Sequence, residues 1–391
     1  CRGLYSAIVA QNFIKKQKLP YNNLLFDLKG VKYSLSVGIP HRSGKIRLHR
    51  NCTTFCDKYK ANKIKTFFKE GIYMSDVLLK IKEGAKALGK TVVLPEGEDK
   101  RVVKAASVAA NEKLAKIVLL GNEQQIKAAN PDVDLSGVKI VDPVTDANTD
   151  KYAQILFEAR KGKISKKTGL PEYADVNAAK AYILKDYTMY GALMLKNGDV
   201  DGMVSGACHS TANTLRPGLQ VIKTKAGVPL VSSCFVMIAP EGGNKYCEDG
   251  AFVFGDCGLN QNPNSEELAY IAVSSADSAK TIAGLEPRVA FLSHSSKGSA
   301  KHADVDKVVG AVNKVKEIAP DLKADGEFQF DCSIVPSVAA NKAPNSEIAG
   351  HANVLIFPDL DAGNIGYKIA ERLGGFMALG PICQGFPKPI N

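Results

Sequence analysis

Residues 201–218 read DGMVSGACHSTANTLRPG, and the strand-to-helix transition inside that stretch decides the fold class of the chain. An apolar strand over 202–205 is expected to run into a loop of small residues bearing His209, Ser210, Thr211, Asn213 and Thr214, after which a helix begins. Unpaired N–H groups at a helix start, the positive end of its dipole and converging hydroxyls favour an anion such as phosphate. Arg216 can add a bidentate clamp. The same residues equally suit a purely structural turn, in which Ser210 or Thr211 caps the helix and satisfies its orphan N–H groups.

On either side of this stretch, strand and helix patterns alternate. Upstream, Ser75 or Asp76 can cap a helix whose apolar face is Val77, Leu78, Ile81, Ala85 and Leu88, stopped by Gly89. Strands over 91–94, 116–120 and 138–141 and helices over 101–112, 149–160 and 177–196 follow. Downstream, strands are expected over 230–238, 251–255, 288–292, 327–330 and 353–357, with helices over 265–282 and 304–318 and one ending at Leu373. Continuous apolar strands separated by amphipathic helices imply an α/β fold with largely parallel sheets covered by helices. The expected organisation is a basic leader over 1–73 outside the fold, a first α/β domain over 74–227 completed by 381–391, and a second over 228–380.

Composition narrows the function. The net charge of +11 invites a nucleic-acid reading, but residues 1–73 hold 15 Lys and Arg against 3 Asp and Glu, leaving 36 against 37 elsewhere. The body is therefore neutral and lacks the basic surface that nucleic-acid binding needs. There is no apolar run of membrane-spanning length. Nine cysteines without paired spacing argue against a disulfide framework and for a reducing cytoplasm. The leader starts at Cys1 and favours Lys over the Arg and Ser of transit peptides. Its last residues, KEGIYM (69–74), are what a purine-rich ribosome-binding sequence would encode, so Met74 is the expected true start.

In open α/β sheets, ligands sit beyond the carboxyl ends of the strands. The polar residues there are Glu96, Arg101, the loop from Ser205 to Arg216, Asp256, the loop from His294 to Lys301, and 359–368. Ser295, Ser296, Lys297 and Gly298 make a second candidate anion seat, while Asn364, Tyr367 and Lys368 share one helical turn and can reach one ligand. Residues 84–91 match the nucleotide P-loop pattern, but in reversed context, with helix before and strand after. No dinucleotide-binding glycine fingerprint follows a strand. Cys208 beside His209 suggests a thiol nucleophile, yet adjacent loop residues are expected to point apart with no third group to orient them. The six histidines are scattered, which disfavours zinc.

The motifs VLPEGEDKRVVKAA (93–106), DGMVSGACHSTANTLRPGLQ (201–220), LSHSSKGSAKH (292–302), DGEFQFDCSIVP (325–336), KAPNSEIAGHANVLIFPDLDAGNIGYKIAERL (342–373) and GPICQGFPKPIN (380–391) together resemble the phosphate acetyltransferase, or phosphotransacetylase, family. The resemblance covers about four-fifths of the chain, Met74 to Asn391. It implies reversible acetyl transfer between coenzyme A and phosphate, by direct attack in a ternary complex. It further implies a two-domain fold like that of the isocitrate and isopropylmalate dehydrogenases, an interdomain cleft, a dimer, no metal and no cofactor beyond coenzyme A as substrate. Arg101, Arg160 and Arg216 match family arginines linked to substrate or coenzyme A. The loops from Ser205 to Thr211, through His209 and Ser210, and from Ser295 to Gly298 would hold phosphate. In the family, the equivalent of KPIN is followed by a Ser, an Arg and an Asp held to act in catalysis. By resemblance those groups lie beyond Asn391, so the chain is expected to be a fragment whose turnover falls by several orders of magnitude without them. A butyryl-specific relative and a catalytically silent coenzyme A- or phosphate-binding module are the rival expectations.

Overall fold

The computed structural model describes residues 24–28, 31–35, 76–165, 168–240 and 243–391. In the leader, β1 (Leu24–Leu28) and β2 (Val31–Leu35) pair antiparallel, with Leu28 opposite Val31. The remainder of the leader lies outside the described residues, as do the expected cap Ser75 and the expected start Met74.

The body starts with α1 (Asp76–Leu88), whose buried face is Val77, Ile81 and Ala85. Gly89, at φ +57°, ends it in the left-handed conformation that only glycine adopts cheaply. Four parallel strands form the first sheet, in the order β5 (Val138–Val141), β4 (Lys116–Leu120), β3 (Thr91–Leu94) and β6 (Gly202–Met203). Between them run α2 (Lys100–Asn111), α3 (Glu123–Ala129), α4 (Thr149–Arg160), α5 (Val176–Ile183) and α6 (Tyr187–Asn197). The expected single helix over 177–196 is thus two helices. Asp186 breaks it by turning its carboxylate onto the Met189 N–H as the N-cap of α6. The expected strand over 202–205 is only two residues long: the Val204 N–H still donates to the Val93 carbonyl, but the Ser205 N–H turns to the Asn391 carbonyl.

The second sheet has six strands in the order β10 (Ala324–Phe328), β9 (Val289–Leu292), β11 (Val354–Ile356), β8 (Ala251–Gly255), β7 (Ser232–Ile238) and β12 (Met377–Gln384). The first four are mutually parallel, while β7 is antiparallel to both β8 and β12. The strand expected over 327–330 lies earlier, because Phe330 already starts the short helix α10 (Phe330–Ile334). The connecting helices are α7 (Thr211–Val221), α8 (Ser265–Ser278, extended by a π turn over Ala279–Ala283), α9 (Ala303–Ile318), α11 (Pro336–Lys342) and α12 (Leu360–Arg372).

Alternate residues of each strand feed different cores, as the two-residue period demands. Val92 and Leu94 of β3 and Val236 and Ile238 of β7 enter one shared core with Val77, Ile81 and the buried faces of α2, α8 and α9. Val93 faces a second core with α4, α5 and α6, and Phe235 and Met237 face a third. After β12 the chain returns to the first sheet. The Met203 N–H donates to the Pro389 carbonyl, the Asn391 N–H to the Met203 carbonyl and the Ser205 N–H to the Asn391 carbonyl. No helix among the described residues is long and apolar enough to cross a membrane.

Candidate active site

The loop that follows β6 is built around Glu96. Its side chain, 1% exposed, reaches from the end of β3 into the loop. It accepts from the N–H groups of Ala207 (2.8 Å), Cys208 (3.0 Å) and His209 (3.2 Å), and pairs with His209 Nδ1 at 2.7 Å. Gly206, at φ +94°, makes the turn that aims these donors inward. The N–H groups expected to await an external anion therefore already hold an internal one. Burial by itself would raise the Glu96 carboxyl, but His209 and the Ala207 and Cys208 N–H groups outweigh it and hold it below its ordinary value.

Ser210 is the N-cap of α7 and accepts from the Asn213 N–H, so the structural reading of this serine holds. Two hydroxyls of the same segment, Ser205 Oγ and Thr214 Oγ1, are buried with no hydrogen-bond partner. Such atoms are seldom left bare, because an unmet buried donor costs about 1–3 kcal/mol. They mark this loop as one in which polar capacity remains.

Cys208 and His209 do not point apart as expected from the sequence: Sγ and Nδ1 are 3.6 Å from each other, and Glu96 orients both. The thiol is nonetheless no activated nucleophile. Burial and the neighbouring carboxylates of Glu96 and Glu98 push it up to about 12.

The second candidate seat repeats the pattern with a different carboxylate. Glu327, 3% exposed at the end of β10, accepts from Ser295 Oγ (2.8 Å) and the Gly298 N–H (2.8 Å). Ser296 Oγ accepts from the Gln329 N–H, and Lys297 Nζ lies 2.5 Å from Asp325 and 2.7 Å from the Gly326 carbonyl. An open groove of about 470 Å³ runs beside this loop, lined by Lys297, Lys301, Lys316 and Val309 among others. Asp256, beyond β8, completes a third closed loop. It accepts from Ser233 Oγ, the Gly258 N–H at 2.9 Å and Asn260 Nδ2 at 2.7 Å.

The remaining expected residues separate by what already holds them. Asn364 Nδ2 donates to the Cys257 carbonyl, and the Tyr367 ring stacks on Phe235 at 4.1 Å. Lys368 Nζ lies 5.8 Å from the Tyr367 ring centre. Arg101 forks onto Asp99 and donates to the Ala207 carbonyl at 2.5 Å, which fixes it against the first loop. Arg160 is consumed in a bidentate pair with Glu172, at 2.8 and 2.7 Å. Arg216 is exposed, touches the Asn213 amide at 3.0 Å and forms no ion pair with an acidic side chain among the described residues. Leu259, in the loop beyond β8, packs on the core that holds Leu215 and Val221 of α7. Sequence reasoning missed Glu327, Asp325, Asp99 and Glu172; an acidic residue at a strand end or two positions before an arginine was the available signal.

Residues 76–391 match the family model described as "Phosphate acetyl/butaryl transferase". The chain belongs to that family. Among curated phosphate acetyltransferases, that of Acetivibrio thermocellus is 49% identical over 314 residues, covering 80% of this chain and 91% of its own. That of Bacillus subtilis is 46% identical over 320 residues, covering 81% and 93%. Among solved structures, a phosphotransacetylase from Streptococcus pyogenes superposes with a TM-score of 0.73 at 42% identity, covering 81% of this chain and 92% of its own. The segment of this phosphate acyltransferase that the family model matches begins where α1 begins.

Proposed function

We infer that the chain is a phosphate acetyltransferase, which converts acetyl-CoA and inorganic phosphate to acetyl phosphate and CoA, reversibly. The observation that carries the activity is the family match over the whole of residues 76–391, together with near-half identity to relatives named phosphate acetyltransferase. In the forward direction a phosphate oxygen attacks the thioester carbonyl. The carbonyl oxygen gains negative charge, the C–S bond breaks, and the departing thiolate takes up a proton to give CoA. Coenzyme A and phosphate act as substrates with no further cofactor, in a cytoplasmic homodimer.

Both substrates are anionic, so the cation that meets phosphate must be free to turn to it. Arg101 and Arg160 are neutralised by Asp99 and Glu172, which leaves Arg216 as the arginine whose fork is available. The same loop and helix carry the buried, unpartnered hydroxyls of Ser205 and Thr214. Arg216→Ala is expected to lower kcat/KM for phosphate about 10- to 150-fold, the range of a lost charge-assisted pair of about 1.5–3 kcal/mol. The fold should survive, since Arg216 is exposed. The assay is phosphate-dependent release of CoA thiol from acetyl-CoA. A folded chain that neither releases CoA thiol in the presence of phosphate nor binds coenzyme A would overturn the activity. Undiminished kcat/KM in Arg216→Ala would overturn the arginine's role alone.

A further inference from the structure

We propose that Glu96, Cys208 and His209 form a binding site for a borderline-soft divalent cation of the zinc type, with the fourth position open to water. The ligand atoms of Glu96, Cys208 and His209 all lie within 4.8 Å of one another. Thiolate, imidazole and carboxylate are the three donor types zinc takes, and bonds of about 2.0–2.3 Å set tetrahedral edges of roughly 3.5 Å for S···N or S···O and 3.3 Å for N···O. In the structure Sγ of Cys208 lies 3.6 Å from His209 Nδ1, 3.3 Å from Glu96 Oε1 and 3.5 Å from Glu98 Oε1. Within the triad, the Sγ–Nδ1 and Sγ–Glu96 edges therefore stand near tetrahedral values before any ion enters. The third edge, His209 Nδ1 to Glu96 Oε1, is 2.7 Å and is now a hydrogen bond. It opens by rotation of an imidazole that is 37% exposed.

Two carboxylates and a thiol converge here. A dication displaces the Cys208 thiol proton to solvent, takes the Nδ1 lone pair of His209 in its Nε2–H tautomer, and bonds the Glu96 carboxylate. The outer sphere is already in place: the Ala207 N–H, 2.8 Å from Glu96 Oε2, holds the carboxylate in orientation. The nearest competing cation, Arg101, is forked onto Asp99. The sequence hides this cluster because Glu96 and Glu98 lie more than a hundred positions before Cys208.

The test is titration of the metal-stripped full chain with Co²⁺ and Zn²⁺. Binding here is expected to give one tetrahedral Co²⁺ per chain, seen as strong visible d–d bands with a thiolate-to-cobalt charge-transfer band, both bleached by Zn²⁺. Cys208→Ser should abolish the charge-transfer band and weaken Zn²⁺ binding, by chelator competition, at least about 100-fold, the upper end of outer-sphere losses. Glu98→Gln should weaken it less and leave the band. Cys208 is exposed, so the serine variant folds, as circular dichroism will verify. An octahedral spectrum without a thiolate band, no competition with the chelator, or a band that persists in Cys208→Ser overturns the proposal. None of these readings depends on turnover.

Discussion

Glu96 and Glu327 each carry a carboxylate into the protein, at 1% and 3% exposure, and each is met there by a loop whose N–H groups point inward. An unpaired buried charge would be prohibitive, so the loop and the carboxylate specify each other. Glu96→Gln retains the size and sets an NH₂ group against N–H donors. It is expected to destabilise the fold by about 2–4 kcal/mol at neutral pH, measured by chemical denaturation. The pH dependence has a definite sign. Because the folded Glu96 carboxyl titrates below its ordinary value of 4.5, its contribution is present above that pH and is lost as pH falls through the folded value. The gap between wild type and Glu96→Gln should therefore narrow on acidification below about 4.5. A gap that is absent at pH 7, or that does not narrow, contradicts this account. At this scale the loops were legible as anion-favouring, but not the identity of the anion. His209 and Ser210 were singled out as candidate residues, whereas the carboxylate that organises the loop was named only as one polar residue at a strand end.

At the scale of elements, most boundaries were readable because apolar periodicity and caps agree. Asn264 is the plainest cap. It accepts from the Glu267 N–H at 2.9 Å, and Glu267 accepts from the Asn264 N–H at 2.8 Å, a complete capping box at the start of α8. Asn264→Ala is expected to cost about 1 kcal/mol, within a range of 0.5–2 kcal/mol. Glu267→Ala added to it should cost less than it does in the wild type, since the reciprocal pair is already broken. Strict additivity in the double-mutant cycle would show that the two bonds do not cooperate. Where the reading failed, a local interaction outweighed periodicity. Asp186 diverts its side chain to the Met189 N–H and splits an apolar helical pattern into α5 and α6. The strand β10 ends at Phe328, before the aromatic run does, because Phe330 opens α10. The seven-residue helix α3 was missed, being too short for its period to register.

For the whole molecule, the shared core is decisive. Ile81 of α1 is fully buried among residues from both sheets, including Leu94 and Ile117 on one side and Val236 and Val253 on the other. Ile81→Ala is expected to cost about 2–5 kcal/mol and to leave a single cooperative transition within 76–391, because both sheets lose the same packing. Hydrogen exchange resolved over β4 and over β9 should shift together; independent shifts would show that the sheets unfold separately. The α/β class, the strand order along the chain, the caps and the neutral body followed from the sequence alone, because periodicity, turn chemistry and charge are local properties. Family membership was also legible there, since it rests on the order of linear motifs. Only the tertiary structure decided that β12 lies antiparallel beside β7 and that Arg160 is spent on Glu172 while Arg216 meets only the Asn213 amide oxygen and no acidic side chain among the described residues. It alone decided that Cys208 and His209 converge on Glu96. Those outcomes depend on which distant groups share a low-dielectric space, and the electrostatics of a pair is set by its separation in space, whatever its separation along the chain.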